Sequence, residues 1–271
     1  MTDLPLLRDR AHLRADCSRC AGLCCVAPAF AASADFAIDK PAGAACPNLR
    51  EDFRCGIHAE LRERGFPGCS VFDCFGAGQR ITQQTFAGRS WRDAPELAAE
   101  QFAVLPVVRQ LHEALWYLVE AETLVPAGDA RALRVETERL AGGTPAELAA
   151  LDVVAHRGRV GALLSRVSEA VRGEGRPDRR GADLMGRDLR RTTLRDASLR
   201  GAYLIGADLR GVDLGRADLL GADLRAADVR GTDLSRCLFL TQPQVTAARG
   251  DVSTRLPVAL SPSPHWAAGP R

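Results

Sequence analysis

The chain has 271 residues, 46% of them apolar, with 36 Lys and Arg against 34 Asp and Glu and a formal net charge of +2. A balance this close to neutrality argues against broad electrostatic capture of nucleic acid or of an anionic membrane. No run of about 18 apolar residues exists, so no transmembrane helix is expected.

Residues 1–14 contain Asp3, Arg8, Asp9, Arg10 and Arg14 and lack the apolar core of a secretory signal, so the expected location is the cytoplasm. Nine cysteines in a reducing compartment point to metal or redox chemistry before structural disulfides. Eight of them lie between Cys17 and Cys74, as Cys17-x2-Cys20-x3-Cys24-Cys25, then Cys46, Cys55, Cys69 and Cys74. All eight are candidate metal ligands. The Cys17/Cys20 spacing lets two thiolates grip one ion from a single turn. Cys24 and Cys25 cannot both aim comfortably at one ion, so one of them is expected to serve a second role. Soft thiolates select zinc or an iron–sulfur cluster over magnesium or calcium. Eight thiols could fill two closed sites, or one cluster with spares; a closed site is structural and an open one catalytic. The competing reading is a set of buried thiols or disulfides. His58, three residues after Cys55, has ligand spacing but reads first as a surface residue. Gly76-Ala77-Gly78 lacks the remainder of a phosphate loop and reads as a turn. Asp35, Asp39, Lys40, Glu51 and Asp52 read as loop charges without a nucleophile to serve.

The stretch Cys17-Ser-Arg-Cys20-Ala-Gly22-Leu-Cys24-Cys25, with Cys46-Pro-Asn-Leu49, Cys55-Gly-Ile57 and Arg64-Gly-Phe-Pro67-Gly-Cys69, resembles the YkgJ-type zinc- or iron-chelating domains. The basic-Pro element here is two residues longer than the family pattern. The likeness extends to the cysteine segment of flagellin lysine-N-methylases, but no Gly-rich strand–helix turn accompanies it here. The resemblance implies a metal-binding module over residues 1–92.

Asp93-Ala-Pro95-Glu96 and Thr144-Pro145-Ala-Glu147 both read as helix starts: a capping residue, a first-turn proline and a carboxylate three positions on. Leu105, Val108, Leu111, Leu115, Leu118 and, later, Leu148, Leu151, Val160, Leu163, Leu164 and Val167 keep helical spacing, so an α-helical region is expected over 93–172. Trp116 and Tyr117 are expected in its core, and His112 and His156 as surface or hydrogen-bonded residues. Residues 173–180 have the composition of a linker.

From 181 to 240 an apolar residue recurs at every fifth position: Leu184, Leu189, Leu194, Leu199, Leu204, Leu209, Leu214, Leu219, Leu224, Val229, Leu234 and Phe239. Two positions before it stands a small residue in most units, among them Ala197, Ala202, Ala207, Ala217, Ala222 and Ala227. A period of five fits neither helix nor ordinary strand and demands a coil in which every unit turns a corner. Residues twenty apart would then share a column. Units such as Gly206-Ala207-Asp208-Leu209-Arg210 and Gly221-Ala222-Asp223-Leu224-Arg225 resemble the pentapeptide-repeat family, which implies a right-handed quadrilateral β-helix with the leucine and alanine columns inward. Arg187 and Thr192 occupy inward small-residue positions, so the first coil is expected to be irregular or open. Cys237 falls on an inward position and reads as core. Residues 241–271 are expected to form a short helical cap and an extended tail through Pro257, Pro262, Pro264 and Pro270. The order of parts, with Leu238-Phe239-Leu240-Thr-Gln-Pro at the close, is similar to uncharacterised actinobacterial pentapeptide-repeat proteins.

The fold expected from these parts is a multidomain α+β chain: a Cys-rich metal-binding module, a helical region and a C-terminal β-helix. The expected function is a zinc- or iron–sulfur-binding protein whose repeat region offers a protein partner a stiff docking surface. One alternative is a metal-dependent enzyme acting on a protein or peptide, kept open by the vicinal Cys24-Cys25. Another is a DNA mimic that binds topoisomerase. Mimicry needs an acidic surface, whereas the nine Asp of residues 181–240 are matched by ten Arg. Direct nucleic-acid binding is therefore not expected.

Overall fold

Helices supply all the regular secondary structure in a computed structural model that describes residues 10–125 and 128–266. The residues beyond these, including Asp3, Arg8 and Asp9 at one end and Pro270 at the other, lie outside the described residues. The described chain divides into two units, residues 10–122 with 128–163, and residues 123–125 with 164–266. No helix among the described residues is long and apolar enough to cross a membrane.

The first unit begins with single helical turns at Ala11–Leu13 and Cys17–Arg19, followed by α1 (Leu23–Val26), α2 (Pro67–Ser70) and α3 (Ala77–Arg80). A π-helical turn, Ile81–Thr85, prolongs α3. The long helix α4 (Ala98–Leu124), α5 (Gly128–Ala141), α6 (Pro145–Ala150) and α7 (Val153–Arg172) follow, with α4 from residue 123 and α7 from residue 164 belonging to the second unit. The start of α6 is the capping box read from the sequence: Thr144 accepts from the Glu147 amide, and Glu147 bonds back to the Thr144 backbone. The start near Asp93 differs. Asp93 spends its carboxylate on Ser90 Oγ at 2.5 Å, and Pro95–Leu97 forms a 3-10 turn that leads into α4.

The expected Cys-rich module does not stand apart. Leu23 and Val26 of α1 share one buried core with Ala77, Ile81 and Phe86 and with Val104, Leu105, Val108 and Leu111 of α4. Cys20 and Cys74 pack against this same core. The physical reason lies in size. Four-residue helices close too few hydrogen bonds to be stable alone, so the cysteine segment borrows the apolar face of α4. Full burial of a leucine such as Leu111 contributes about 1.5–3 kcal/mol, and Leu111 is wholly buried. Trp116 and Tyr117 are buried, with the Arg10 guanidinium 4.0 Å over the Trp116 ring and bonded to its carbonyl oxygen.

The second unit contains the five-residue repeat. Its laps are tied by isolated parallel bridges such as Asp183 to Tyr203, Tyr203 to Asp223, Asp188 to Asp208 and Asp208 to Asp228. The column spacing of twenty residues is therefore present. No extended strand forms among the described residues, however, and the expected β-helix is corrected on that point. In a unit of five, the corner consumes most residues. One residue per side is left to pair with the next lap, too few to run as a strand. Gly206 shows the corner requirement, with φ of +65°, a region that glycine enters without steric cost.

Inside the coil, Ala202, Leu204, Ala207 and Leu219 are wholly buried. The aspartates do more than face solvent. Asp208 Oδ1 accepts from the Arg210 amide at 3.1 Å, and Asp223 and Asp228 repeat the bond with Arg225 and Arg230. Each closes a local turn that shapes its corner. Arg187 is exposed while its amide still bonds to Leu184 O at 3.2 Å. The first lap is thus regular in backbone and open in its interior. After Leu240, α8 (Gln242–Ala247) interrupts the coil, and bridges resume from Asp228 to Arg249 and from Asp233 to Arg255. Cys237 is buried.

Candidate functional site

Local turns place the sulfurs, two of them made by glycines of positive φ, Gly22 and Gly76. Asp16 caps the Cys17–Arg19 turn by accepting from the Ser18 amide at 3.0 Å. The chain then passes Cys20 and reverses at Gly22, whose φ is +66°; a Cβ there would stand 2.8 Å from Leu49 Cδ1 and 3.0 Å from Phe53 O. That reversal turns the amides of Gly22 and Leu23 toward the Cys20 sulfur. Cys55 is fixed by an antiparallel bridge to Leu49 and receives the Ile57 amide. Beyond Cys74, Phe75 and Gly76 both take positive φ, 49° and 77°, and the amides of Gly76 and Gly78 reach its sulfur. Backbone donors aimed at sulfur favour the thiolate.

The eight cysteines share one electrostatic neighbourhood, in which Cys17 feels Cys74, Cys25 and Cys55. Cys20 feels Cys74 and Cys17, and Cys24 feels Cys20 and Cys74. Gly78 lies between two of these: a Cβ on it would meet Cys20 Sγ at 2.5 Å and Cys74 Sγ at 3.9 Å. Cys69 feels Cys25, Cys46 and Cys55, and the Cys46 amide bonds to Cys25 O at 2.9 Å. The Cys24 and Cys25 sulfurs lie 3.9 Å apart. All eight are free thiols, so none is spent in a disulfide. Among the described residues no three His, Cys, Asp or Glu side chains already converge as ligands of one ion. His58 is exposed on the turn His58–Glu60.

Burial dominates the acid–base chemistry here. It pushes the Cys20 thiol up to about 11 and Cys69 up to about 12, and raises Cys17, Cys55 and Cys74 as well. Cys25 moves the other way: it accepts from the Cys24 thiol, which lowers its pKa, and Lys40 lowers it further. Cys24 is correspondingly raised. Lys40 is itself buried, and its Nζ donates to the carbonyls of Val26, Pro28, Pro41 and Ala44. In chemical type the donor set suits a soft cation, being sulfurs in an apolar setting of which several are met by amides.

Sequence reasoning did not find Lys40 or the glycines as part of this arrangement. Lys40 read as a loop charge because its four carbonyl acceptors come from separate positions of the chain, Val26, Pro28, Pro41 and Ala44. Gly76 and Gly78 were legible as a turn, but the close approach of Cys20 to Gly78 spans more than fifty positions of sequence. Neither His112 nor His156 approaches the sulfurs as a ligand. Each is buried in a hydrogen bond, His112 with Phe75 O at 2.7 Å and His156 with Thr137 Oγ1 at 2.9 Å.

Comparison with known proteins finds pentapeptide repeats, in eight copies, over residues 180–216 and 202–239. It adds no support to the likeness between the cysteine segment and the YkgJ-type domains. The uncharacterized protein YybG of Bacillus subtilis (strain 168) is 52% identical over 272 residues, covering 96% of this chain and 98% of that protein. At that identity and coverage the chain belongs to the same family as YybG, with pentapeptide repeats in its C-terminal region.

Proposed function

We propose that this protein binds zinc or an iron–sulfur cluster through its eight N-terminal cysteines and uses its repeat coil as a docking surface for a protein partner. The observation that carries the metal reading is the gathering of the eight thiols, none of them in a disulfide, in one neighbourhood, where the Cys24 and Cys25 sulfurs lie 3.9 Å apart and the Cys20 and Cys74 sulfurs both stand beside Gly78. Four thiolates close a structural site for a soft ion, and such binding would require the cysteine side chains to turn about their Cα–Cβ bonds until the sulfurs converge. A metal so held would supply folding energy to a segment whose own helices are only four residues long. The docking reading rests on the pentapeptide repeats. Their paired outward charges, such as Arg190 with Asp188 and Arg225 with Asp223, make a stiff and nearly neutral surface.

The test is anaerobic purification of the full chain, followed by metal analysis and a visible spectrum. About two zinc ions per chain, or iron with labile sulfide and a brown colour, is the expected result. Only trace metal in protein prepared under both zinc- and iron-replete conditions would remove the reading.

A further inference from the structure

We propose that a cleft of about 440 Å³ between the N-terminal segment and helices α3, α4 and α5 binds a small oxyanion that also carries a hydroxyl or amine donor. The inference goes beyond the metal reading and uses none of the eight thiols. The cleft falls within the size range of ligand pockets. Its lining includes Asp16, Arg19, Arg80, His112 and Glu138.

Charge accounting selects an anion. Asp16 is occupied, accepting from both the amide and the hydroxyl of Ser18. Glu138 is paired with Arg134. Among the described residues the guanidinium of Arg80 closes no ion pair, and its buried Nε has no hydrogen-bond partner. Its Nη2 lies against Gly142, where a Cβ would meet it at 3.0 Å. That position is just past the C-terminal end of α5, whose carbonyls lend only partial negative charge. The guanidinium therefore brings an unneutralised positive charge to the cleft lining, and an oxyanion bound there supplies the missing counter-charge. Arg19 stands in the field of Asp16 and offers a second guanidinium to the same cleft.

His112 adds the second half of the specificity. Its Nδ1 must donate to Phe75 O at 2.7 Å, because a carbonyl only accepts. In the neutral ring Nε2 is then an acceptor, on a residue that lines the cleft. Guanidinium groups and an imidazole acceptor among the residues that line one cleft match a molecule with a phosphate or carboxylate and a nearby hydroxyl or amine. The shared chemistry is the oxyanion, and its two sources are separable by experiment.

Isothermal titration of the full chain, with glycerol phosphate, glycerate and inorganic phosphate as probes, tests the proposal. Glycerol phosphate or glycerate is expected to bind one per chain and about tenfold tighter than inorganic phosphate, the difference being one hydrogen bond. Preference between the two identifies phosphate or carboxylate as the source. Arg80→Gln is expected to weaken binding roughly tenfold to a hundredfold, the loss of a charge-assisted bond, while Arg80→Lys retains part of it. His112→Asn keeps a donor for Phe75 but loses the acceptor, and should reduce the organic ligand to the affinity of inorganic phosphate. Thermal unfolding of each unliganded variant checks its fold. Binding of none of the three probes, or binding unchanged in folded Arg80→Gln, overturns the proposal. The readout does not depend on metal content, so its failure is distinct from failure of the metal reading.

Discussion

His112 Nδ1 donates to the carbonyl oxygen of Phe75 across 2.7 Å, tying α4 to the turn that follows Cys74. Burial pushes the imidazole down to about 4; the bond to Phe75 raises it, and His12 and Arg80 lower it again. The unfolded chain takes up a proton near pH 6.5 that the folded chain refuses until about pH 4. Stability therefore rises with pH across that window. The contribution is fully present above 6.5 and is lost as pH falls through 4. The span corresponds to about 3 kcal/mol. Urea unfolding of the wild type and of His112→Asn between pH 4 and 7.5 should show the wild type losing the greater stability on acidification. Equal slopes would mean that His112 is not held neutral.

Lys40 provides a second test of what organises the cysteine segment. Its ammonium satisfies four carbonyls and is buried beneath the loop that carries Cys46. Lys40→Met keeps most of the volume but strands those acceptors. The expected cost is about 2–4 kcal/mol, seen as a lower urea midpoint. Lys40 also lowers the pKa of Cys25, so under the proposed metal reading the same variant should hold less zinc or iron per chain. A variant with unaltered midpoint would show that water replaces the ammonium freely.

These two residues mark where the sequence stops being legible. The five-residue beat, the inward columns and the burial of Cys237 could all be read directly, because neighbours in the coil lie at a fixed offset of twenty. The capping box at Thr144 was legible for the same local reason. The absence of extended strands was not, since a period does not say how many residues of each unit the corner takes. Asp208 and Asp223 read as outward charge, although each also closes its own turn. In the cysteine segment the spacing gave the residue types. Which sulfurs neighbour each other, the caging of Lys40 and the shared core with α4 depend on contacts far apart in sequence. His112 read as a surface or satisfied residue, with no sign of the Phe75 carbonyl that fixes its tautomer.

The repeat coil should behave as a one-dimensional stack, each lap supported by its neighbours. Leu204 is wholly buried with laps on both sides, whereas Leu184 in the first lap is only half-buried. Leu204→Ala is expected to cost about 2–5 kcal/mol. Leu184→Ala should cost less than half as much, because fewer contacts are lost and the space is already open. Chemical denaturation followed by circular dichroism gives both values. Equal costs would imply that the first lap is as well covered as the second.

At the other end of the coil the chain closes on itself through Trp266 and Gly250. A Cβ on Gly250 would lie 2.5–2.6 Å from three atoms of the indole, while the indole Nε1 donates to Ala248 O at 2.9 Å. The ring is buried, so it has no free space in which to retreat. Gly250→Ala is expected to cost about 1–3 kcal/mol by overpacking, and Trp266→Ala about 3–5 kcal/mol by loss of its buried surface. The double variant separates this contact from two independent effects. With the ring gone, the methyl at position 250 is freed of its three nearest neighbours, so the double should be no less stable than Trp266→Ala alone. Full additivity in thermal unfolding would show that the indole does not lie on Gly250 in solution. The non-additive result would place the Trp266 cap on the last lap as part of the folded coil.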